Sequence, residues 1–406
     1  MELSAILNAR LPSRDGRWSL RFSDGRIDAI EPYSIGKTSH APGELDAGGG
    51  LVTRRLVDPH LHLDLAYTLD IVEENQSGTL LEAIALWSEA KKLLQPDEVR
   101  ARALRAIHEE LRFGTGLIRS HVDVASASQM RLCEGVLAAR EATRDLLVIQ
   151  LVAFPQDGLI RDPNAVDLMR SAIRSGVDLV GGIPHIERTQ REGIAHLEQV
   201  FDLAAELDAD IDVHIDETDD PASRYTEHPA SLTIQRGWHG RVTASHVCAL
   251  ASYDDAHAAR VTDLLAEADI NVITNPGVNL HLQGRFDRYP KRRGLTRVSE
   301  LLKRGVTCAA GQDCIRDPFY PLGNGKMLDQ AFLLVHADHM SSPAQIQQAF
   351  EMVCGKAAEV MRIDHHAIEV GATANVLVFD VTDVTELVRL RPTPQQVIRQ
   401  ARTLDI

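Results

Sequence analysis

Closely spaced cysteine pairs are missing from this chain. The five cysteines lie far apart and include no Cys-x-x-Cys; they are Cys133, Cys248, Cys308, Cys314 and Cys354. This spacing gives neither a zinc-knuckle motif nor a disulfide framework, and it fits a reducing compartment. An excess of positive charge is missing as well, since the formal net charge is −15. We therefore expect no nucleic-acid partner, because phosphate binding needs a concentrated positive field, and a neutral or cationic small molecule fits better.

The sequence also shows no pattern typical of a targeting or membrane-spanning segment. The N-terminus lacks the basic start and long apolar core of a signal peptide, and no stretch approaches about 18 uninterrupted apolar residues. We expect a soluble, cytoplasmic protein without membrane association. Its 406 residues, 44% apolar and 25% charged, suffice for one large domain and a smaller companion.

Short apolar runs alternate with long amphipathic stretches from residue 56 onward. The predicted strands are 56–62, 117–123, 147–154, 178–184, 210–215, 241–247, 270–275 and 306–312. The predicted helices between them include 79–93, 97–113, 128–143, 163–175, 192–208 and 255–268. About eight strand-then-helix units predict a closed (β/α)8 TIM-type barrel over residues 56–367. An open doubly wound sheet is the alternative, but no Gly-x-Gly-x-x-Gly follows the first strand.

Both ends of the chain carry a different pattern. Residues 1–55 are rich in Gly, Pro and Asp, and short alternating pieces flank Asp24-Gly25, which suits the tight turn of a hairpin. Strand-like alternation returns after residue 368. The sequence therefore predicts a small β-domain formed by residues 1–55 and 368–406.

Histidine and carboxylate residues recur where the predicted strands end, and in a barrel these ends converge at the active-site face. His60 and His62 are two apart at the end of the first strand. Both imidazoles therefore leave the strand on the same side, which suits the binding of one divalent ion. The other strand ends carry His121, Asp123, His214, Glu217, His246 and Asp313.

Some residues near the strand ends also have structural interpretations. His121 could be a structural histidine bonded to a neighbouring backbone group. Asp123 is expected to cap the following helix rather than to contact a substrate. Asp58 and Asp64 are expected at the surface or behind the metal ligands. Histidines in helices or loops, His196 among them, are assigned no function.

Several longer motifs point to a known family. They are Pro59-His60-Leu-His62, Asn75-Gln-Ser-Gly-Thr79, Arg119-Ser-His121-Val-Asp123, Val152-Ala-Phe-Pro-Gln156, Asp212-Val-His214-Ile-Asp-Glu217, Thr243-Ala-Ser-His246, the segment 281–294, and Asp317-Pro-Phe319-Tyr-Pro-Leu-Gly323. Together these motifs resemble the amidohydrolase superfamily and, within it, the bacterial cytosine deaminases. The resemblance covers essentially the whole chain, from about residue 50 to 380.

The resemblance implies a metal site. His60, His62, His214 and Asp313 would be the ligands of one divalent ion, and such a set of imidazoles and a carboxylate suits Zn²⁺ or Fe²⁺. Binuclear relatives use a carbamylated lysine after the fourth strand. Residues 178–187 contain no lysine, so a single ion is predicted.

The resemblance also implies catalytic roles. Glu217 and His246 would flank the water that the ion activates, and Gln156 would contact the amide edge of the substrate ring. Glu217 would protonate the ring nitrogen next to the amino-bearing carbon, while Asp313 or His246 would accept the proton lost by the water. Asp313 would then carry a proton to the departing amino group.

The chain departs from the cytosine deaminase pattern at three positions. Cytosine deaminases have His-Asp-Asp where this sequence has Gln312-Asp313-Cys314, and a tryptophan where it has Phe319. A carboxylate against C5 of the ring would disfavour an apolar substituent through desolvation, whereas the thiol of Cys314 would not. We predict a deaminase of cytosine or of a 5-substituted cytosine such as 5-methylcytosine, giving uracil or thymine plus ammonia. The alternative is that Cys314 only packs and that cytosine is the substrate.

Two further functions stay open. One is an aminohydrolase of a triazine or another amino-heterocycle, because residues 315–317 and Gly323-Asn-Gly325 also resemble N-isopropylammelide hydrolases. The other is a non-catalytic metal-binding protein on the same barrel, because fold does not determine function. The zinc deaminases of bases in nucleic acids carry a Pro-Cys-x-x-Cys signature, which this chain lacks. Helix-rich outer faces lead us to expect a homo-oligomer of unspecified size.

Overall fold

Strands from both ends of the chain form the first of two sheets in the computed structural model, which describes residues 1–34 and 41–405. These strands are β1 (Ala5–Leu11), β2 (Arg14–Ser23), β3 (Arg26–Pro32), β4 (Glu44–Asp46), β5 (Leu51–Arg54), β14 (Val376–Phe379), β15 (Gln396–Arg399) and β16 (Arg402–Thr403). Their order is β16-β15-β14-β5-β1-β2-β3, and β4 pairs with β1. Residues 35–40 and 406, which belong to the predicted segments 1–55 and 368–406, lie outside the described residues.

The β2–β3 hairpin forms where the sequence predicts it. Asp24 and Gly25 have φ values of 48° and 73°, and a type I′ turn requires positive φ at both central positions. Val52 of β5 pairs with Val378 of β14 in antiparallel register, so both terminal segments contribute to one sheet. This sheet has its own hydrophobic cluster, which includes Leu20. The domain boundaries themselves stay a prediction.

Eight parallel strands form the second sheet. They are β6 (Leu56–Leu61), β7 (Thr115–Asp123), β8 (Val148–Phe154), β9 (Leu179–Gly182), β10 (Asp210–Ile215), β11 (Val242–His246), β12 (Asn271–Thr274) and β13 (Cys308–Ala310). Each predicted strand is present, with ends shifted by at most two residues. The short apolar run followed by a helix is therefore an accurate signal for this fold.

Backbone hydrogen bonds just beyond β13 close this sheet into a barrel. The Asp313 N–H donates to the His60 carbonyl (2.7 Å), and the His62 N–H donates to the Asp313 carbonyl (2.9 Å). The Asp58 carboxylate adds a second tie, because its Oδ1 accepts from the backbone N–H groups of His60 (3.2 Å) and Gln312 (3.0 Å). The predicted (β/α)8 barrel is thus confirmed, and its seam lies beside three proposed metal ligands.

Helices surround the barrel. They are α1 (Leu80–Ala90), α2 (Pro96–Arg112), α3 (Arg131–Thr143), α4 (Ala165–Arg174), α5 (Gln190–Leu207), α6 (Glu227–Arg236), α7 (Asp255–Glu267), α8 (Pro276–Leu282), α9 (Val298–Lys303), α10 (Met327–Ala337), α11 (Pro343–Glu351), α12 (Gly355–Val360) and α13 (Val384–Leu390). Helix α2 shows why the prediction works, since Val99, Ala103, Ala106 and Ile107 recur at helical spacing and are all buried. Over residues 1–34 and 41–405, no helix has both the length and the apolar character needed to cross a membrane.

His366 links the barrel to the segment that leads into β14. Because its pKa is lowered, we expect the free energy of unfolding to decrease in acid. Its Nε2 lies 2.9 Å from the Arg55 carbonyl, and burial, with the nearby Arg54, lowers the pKa of His366 from 6.5 to about 4. Below pH 6.5 the unfolded chain binds more protons here than the folded chain, so stability falls as the pH falls toward 4. At about 1.36 kcal/mol per pH unit, this interval corresponds to about 3 kcal/mol.

The contribution of His366 can be measured by urea unfolding at about pH 7 and about pH 4.5. The wild type should lose about 2–3 kcal/mol more than H366Q between these conditions. H365Q, at the adjacent exposed histidine, is the matched control and should follow the wild type. Equal losses in the wild type and H366Q would contradict the prediction.

Candidate active site

Five of the predicted site residues meet at the carboxyl-terminal rim of the barrel. The His62 Nε2 lies 3.1 Å from the His214 Nε2 and 3.4 Å from Asp313 Oδ1, and the His60 Nε2 lies 3.6 Å from the same oxygen. His246 Nε2 is 3.8 Å from Asp313 Oδ2. All five side chains are buried. Four of them each offer a ligand atom within 4.8 Å of the others, namely His60, His214, His246 and Asp313. His62 contacts two members of this group, His214 and Asp313.

The hydrogen bonds of His60 leave one nitrogen free to bind a cation. Its Nδ1 lies 3.0 Å from the Ser245 hydroxyl, and that hydroxyl donates to Asp212 Oδ1 at 2.8 Å. Because the serine proton is used on Asp212, the serine oxygen must accept from the His60 Nδ1–H. The His60 Nε2 then carries a lone pair, and it has no hydrogen-bond partner among the described residues. A lone pair facing a carboxylate oxygen in a buried site is repulsive unless a cation lies between them, so these residues fit a metal ion.

His246 has the opposite arrangement. Asn279 Oδ1 accepts from the Asn275 N–H (3.1 Å), which turns the Asn279 amide nitrogen toward the His246 Nδ1 at 3.0 Å. The His246 Nδ1 is therefore an acceptor, and a neutral His246 carries its proton on Nε2, facing Asp313. This tautomer suits proton transfer rather than metal binding.

Burial keeps three imidazoles of this cluster, those of His62, His214 and His246, neutral. It lowers the pKa of His62 to about 3, and it lowers the pKa of His214 and of His246 well below the usual value. Burial alone would raise the pKa of Asp313, but the adjacent His60 and His246 outweigh it and hold that pKa below its usual range. Neutral imidazoles and an ionised carboxylate are the forms that bind divalent metals.

Glu217 lies beside His246, with its Oε1 3.4 Å from the His246 Nδ1. Burial, together with the negative charge of Asp313, raises the pKa of Glu217 well above its usual value, so this carboxyl group can carry a proton. The preceding residue, Asp216, holds the loop in place, since its carboxylate accepts from the N–H groups of Tyr225 (3.1 Å) and Thr226 (2.8 Å).

A small cavity opens above the cluster. Gln156, Glu217, Asp313 and Cys314 line it. The rest of its wall includes Leu65, Leu80, Ile183, Val278, Leu282 and Phe319. The Cys314 Sγ is 3.7 Å from Asp313 Oδ1, and burial raises the pKa of this thiol well above 9. The cavity therefore combines a few polar groups with apolar walls, as expected for a small heterocyclic ligand.

The backbone is strained at several of these residues. Asp216, His246 and Asp313 have φ values of 50°, 73° and 69°, in the left-handed region that favours glycine. Such conformations persist only where surrounding contacts enforce them, and they cluster at functional sites. No local sequence pattern indicates them.

Two sequence interpretations need correction, and a third is narrowed. Asp123 does not cap α3: its Oδ2 accepts from the Lys91 ammonium (2.7 Å) and the Trp87 indole (2.9 Å). Asp58 and Asp64 are fully buried, which excludes the surface, one of the two placements expected for them. His121 is not a satisfied structural histidine, because neither ring nitrogen has a hydrogen-bond partner among the described residues. Its Nε2 lies 3.7 Å from Asp212 Oδ1.

His196, to which the sequence assigned no function, makes a specific buried contact. It is buried and paired with Glu187 at 2.8 Å. Helical periodicity alone could not distinguish it from a histidine that merely packs. Asn279 and Ser245, which determine the tautomers of His246 and His60, were also missed.

A parallel (β/α)8 barrel with neutral imidazoles and a carboxylate at its carboxyl-terminal rim defines the class of metal-dependent hydrolases. Within that class, the chain belongs to the amidohydrolase family, whose model matches residues 43–404. The family uses a divalent metal ion, and the His and Asp groups described above are able to bind one. The family resemblance predicted from the motifs is confirmed.

Individual relatives of known activity indicate which class of reaction to expect. A crystal structure of a 5-methylcytosine deaminase from Klebsiella pneumoniae with 5-fluorocytosine is 38% identical, has a TM-score of 0.95, and aligns over 99% of this chain and 97% of that one. A pterin deaminase from Rhizobium rhizogenes is 31% identical over 97% of this chain and 90% of its own length. An N-isopropylammelide isopropyl amidohydrolase from a Pseudomonas species is 29% identical over 92% and 90%. The chain is accordingly a hydrolytic aminohydrolase, not the non-catalytic protein that the sequence left open.

Proposed function

We propose that the protein deaminates a free pyrimidine base, namely a 5-substituted cytosine such as 5-methylcytosine, to give thymine and ammonia. The observation that carries this proposal is the Cys314 thiol in the cavity wall beside Asp313. The similarity to a 5-methylcytosine deaminase over nearly the whole chain supports it.

The proposed ion ligands are His60, His62, His214 and Asp313, holding one Zn²⁺ or Fe²⁺. When bound, such an ion would lower the pKa of a water molecule toward neutrality and so supply the nucleophile. The His60 tautomer supports its role as a ligand, and the His246 tautomer supports a different role for that residue. We also expect a homo-oligomer, which size-exclusion chromatography with light scattering would measure.

The chain's own carboxyl groups would move the protons. Glu217, which can hold a proton, would donate it to the ring nitrogen next to the amino-bearing carbon. Asp313, with His246 beside it, would accept the proton that the attacking water loses. The water oxygen would form a bond to the carbon, the carbon–nitrogen bond would break, and ammonia would leave with the proton returned by Asp313. The proton of the hydroxyl left on that carbon would return to Glu217 as the carbonyl forms.

The Gln156 amide would bind the opposite edge of the ring. A ring that keeps a carbonyl beside an N–H presents one acceptor and one donor, and a carboxamide offers one acceptor and a donor pair in return. Gln156 lines the same cavity as Glu217 and Asp313. This arrangement favours a free base over a nucleoside, because a sugar on that nitrogen would remove the donor.

Cys314 would determine the preference at C5. Replacing it with aspartate should lower the ratio of kcat/KM for 5-methylcytosine to that for cytosine about tenfold to a hundredfold, because the methyl group would desolvate the new carboxylate. C314N is the matched control, because asparagine has the size of aspartate but no charge, and it should change the ratio less. Ammonia release measured on both bases decides the matter. A clear preference of the wild type for cytosine would contradict the proposal.

A second candidate is an aminohydrolase of a triazine or another amino-heterocycle. The similarity to the N-isopropylammelide hydrolase and to the pterin deaminase favours testing it. The same ammonia assay with amino-triazines and a pterin separates the two candidates. Release from one of these rings without release from either pyrimidine would replace the first proposal.

A further inference from the structure

The loop that carries Gln156 is held by a buried pair of side chains outside the cavity. We propose that Glu187 and His196 are positioning residues for the Gln156 amide, and that they determine how tightly the site binds the ring edge. The inference rests on the role proposed above for Gln156.

Glu187 binds the loop directly. Its Oε1 accepts from the backbone N–H groups of Leu159 (2.8 Å) and Ile160 (3.0 Å), three and four residues after Gln156. The same oxygen lies 2.8 Å from the His196 Nδ1. The side chains of Glu187 and His196 have no exposed surface. One carboxylate oxygen therefore ties the end of this loop to the segment that follows β9.

His196 fixes the direction of that carboxylate. Its Nε2 accepts from the Ile183 N–H at 3.0 Å, so a neutral His196 carries its proton on Nδ1 and donates it to Glu187. Gly182 leaves the necessary room, since a Cβ there would lie 3.0 Å from the His196 Nε2. Ile183 lines the cavity together with Gln156. The pair thus connects two parts of the cavity wall through one chain of hydrogen bonds.

A second anchor lies closer to Gln156. Asp157, the next residue, lies 2.8 Å from the Lys91 ammonium, which also contacts Asp123 at 2.7 Å. The Lys91 side chain is fully covered. The Gln156 backbone N–H also bonds to the Phe154 carbonyl (3.2 Å). With anchors at residue 157 and at residues 159–160, little backbone freedom remains for Gln156.

Glu187 satisfies backbone donors of this loop. An apolar side chain here would leave the Leu159 and Ile160 N–H groups without an acceptor, so the carboxylate holds the loop in one geometry. Gly158 confirms how close the carboxylate lies, because it has φ 89° and a Cβ there would come within 2.6 Å of Glu187 Oε1. A loop held in this way presents a pre-organised amide to the ring.

Steady-state kinetics on 5-methylcytosine and cytosine test the inference with E187A, E187Q, Q156A and the double variant Q156A/E187A. E187A should raise KM about tenfold with a smaller change in kcat, because the amide is misplaced while the reacting groups are not. E187Q should recover most of the KM, since its amide oxygen still accepts from Leu159 and Ile160. In the Q156A background, E187A should change KM less than about twofold, because the group it positions is already gone.

Metal content by elemental analysis serves as a control and should match the wild type in every variant. Thermal unfolding verifies that each variant is folded at the assay temperature, and E187A should unfold at a lower temperature because the Leu159 and Ile160 N–H groups lose their acceptor. If E187A does not fold, G158A displaces the carboxylate without removing it and should give the same rise in KM. A full E187A effect in the Q156A background would overturn the inference and leave the proposed function intact. A wild-type KM for Q156A, or no ammonia release from either pyrimidine, would overturn the proposed function and this inference together.

Discussion

Replacing His214 with alanine should lower kcat/KM for deamination on the order of 10⁴-fold and release the divalent ion. His214 lies at the end of β10 with its Nε2 3.1 Å from that of His62, so its loss opens the proposed ligand set on one side. Without the ion, water keeps a pKa of about 15.7 and is a poor nucleophile near neutral pH. Burial lowers the pKa of His62 and of His246, so these neutral imidazoles cannot replace the missing positive charge.

Elemental analysis alongside the ammonia assay checks this prediction. The wild type should contain one ion per chain and H214A close to none. H257N is the matched control. His257 is buried like His214, but it lies in helix α7 and pairs with Glu227 (3.1 Å), so its replacement should leave the metal content and the activity unchanged. Two ions per wild-type chain would contradict the single site and direct attention to His60, His121 and Asp212, which form a second group of possible ligands.

Replacing Glu217 with glutamine should lower kcat about 10²-fold to 10⁴-fold, the usual contribution of a general acid or base. Glutamine keeps the size and hydrogen bonding of the side chain but cannot donate a proton to the ring. Glu217 makes its closest described contact in the cluster with His246, not with the proposed ligands. The metal content of E217Q should therefore equal that of the wild type.

Single-turnover kinetics with metal analysis separate this effect from a loss of the ion. D220N is the matched control, because Asp220 lies on the same loop after β10 but is exposed. E217Q with a full metal complement and wild-type kcat would rule out the proton-donor role. Loss of metal from E217Q would instead mean that Glu217 helps to hold the site together.

The strands and their terminal histidines could be predicted because they follow local rules. A strand has a period of two, so His60 and His62 must share a side, and barrel strands place their ends on one rim. The same rules predicted the hairpin turn at Asp24-Gly25, where both residues adopt positive φ. These features depend on a few neighbouring residues only.

The supporting contacts could not be predicted because they join residues distant in sequence. Ser245 determines the tautomer of His60 across 185 positions, and Asp123 binds Lys91 instead of capping α3. An aspartate after a strand looks the same in either role until the packing of α1 is known. The left-handed backbone at His246 and Asp313 has the same origin, since tertiary contacts enforce it against local preference.

The barrel of a newly synthesised chain can close only late, after the residues on both sides of its seam have been made. Asp58 and Gln312, whose hydrogen bond helps to close it, are 254 residues apart. At about 5–20 residues per second, a ribosome needs roughly 13 to 50 s to synthesise the chain between them. During that interval the proposed ligands His60 and His62 lack their carboxylate partner, so an ion bound by these two histidines alone would be held weakly and would exchange. If these residues are the ligands, commitment to a particular metal would come late in synthesis, when Asp313 joins the first strand.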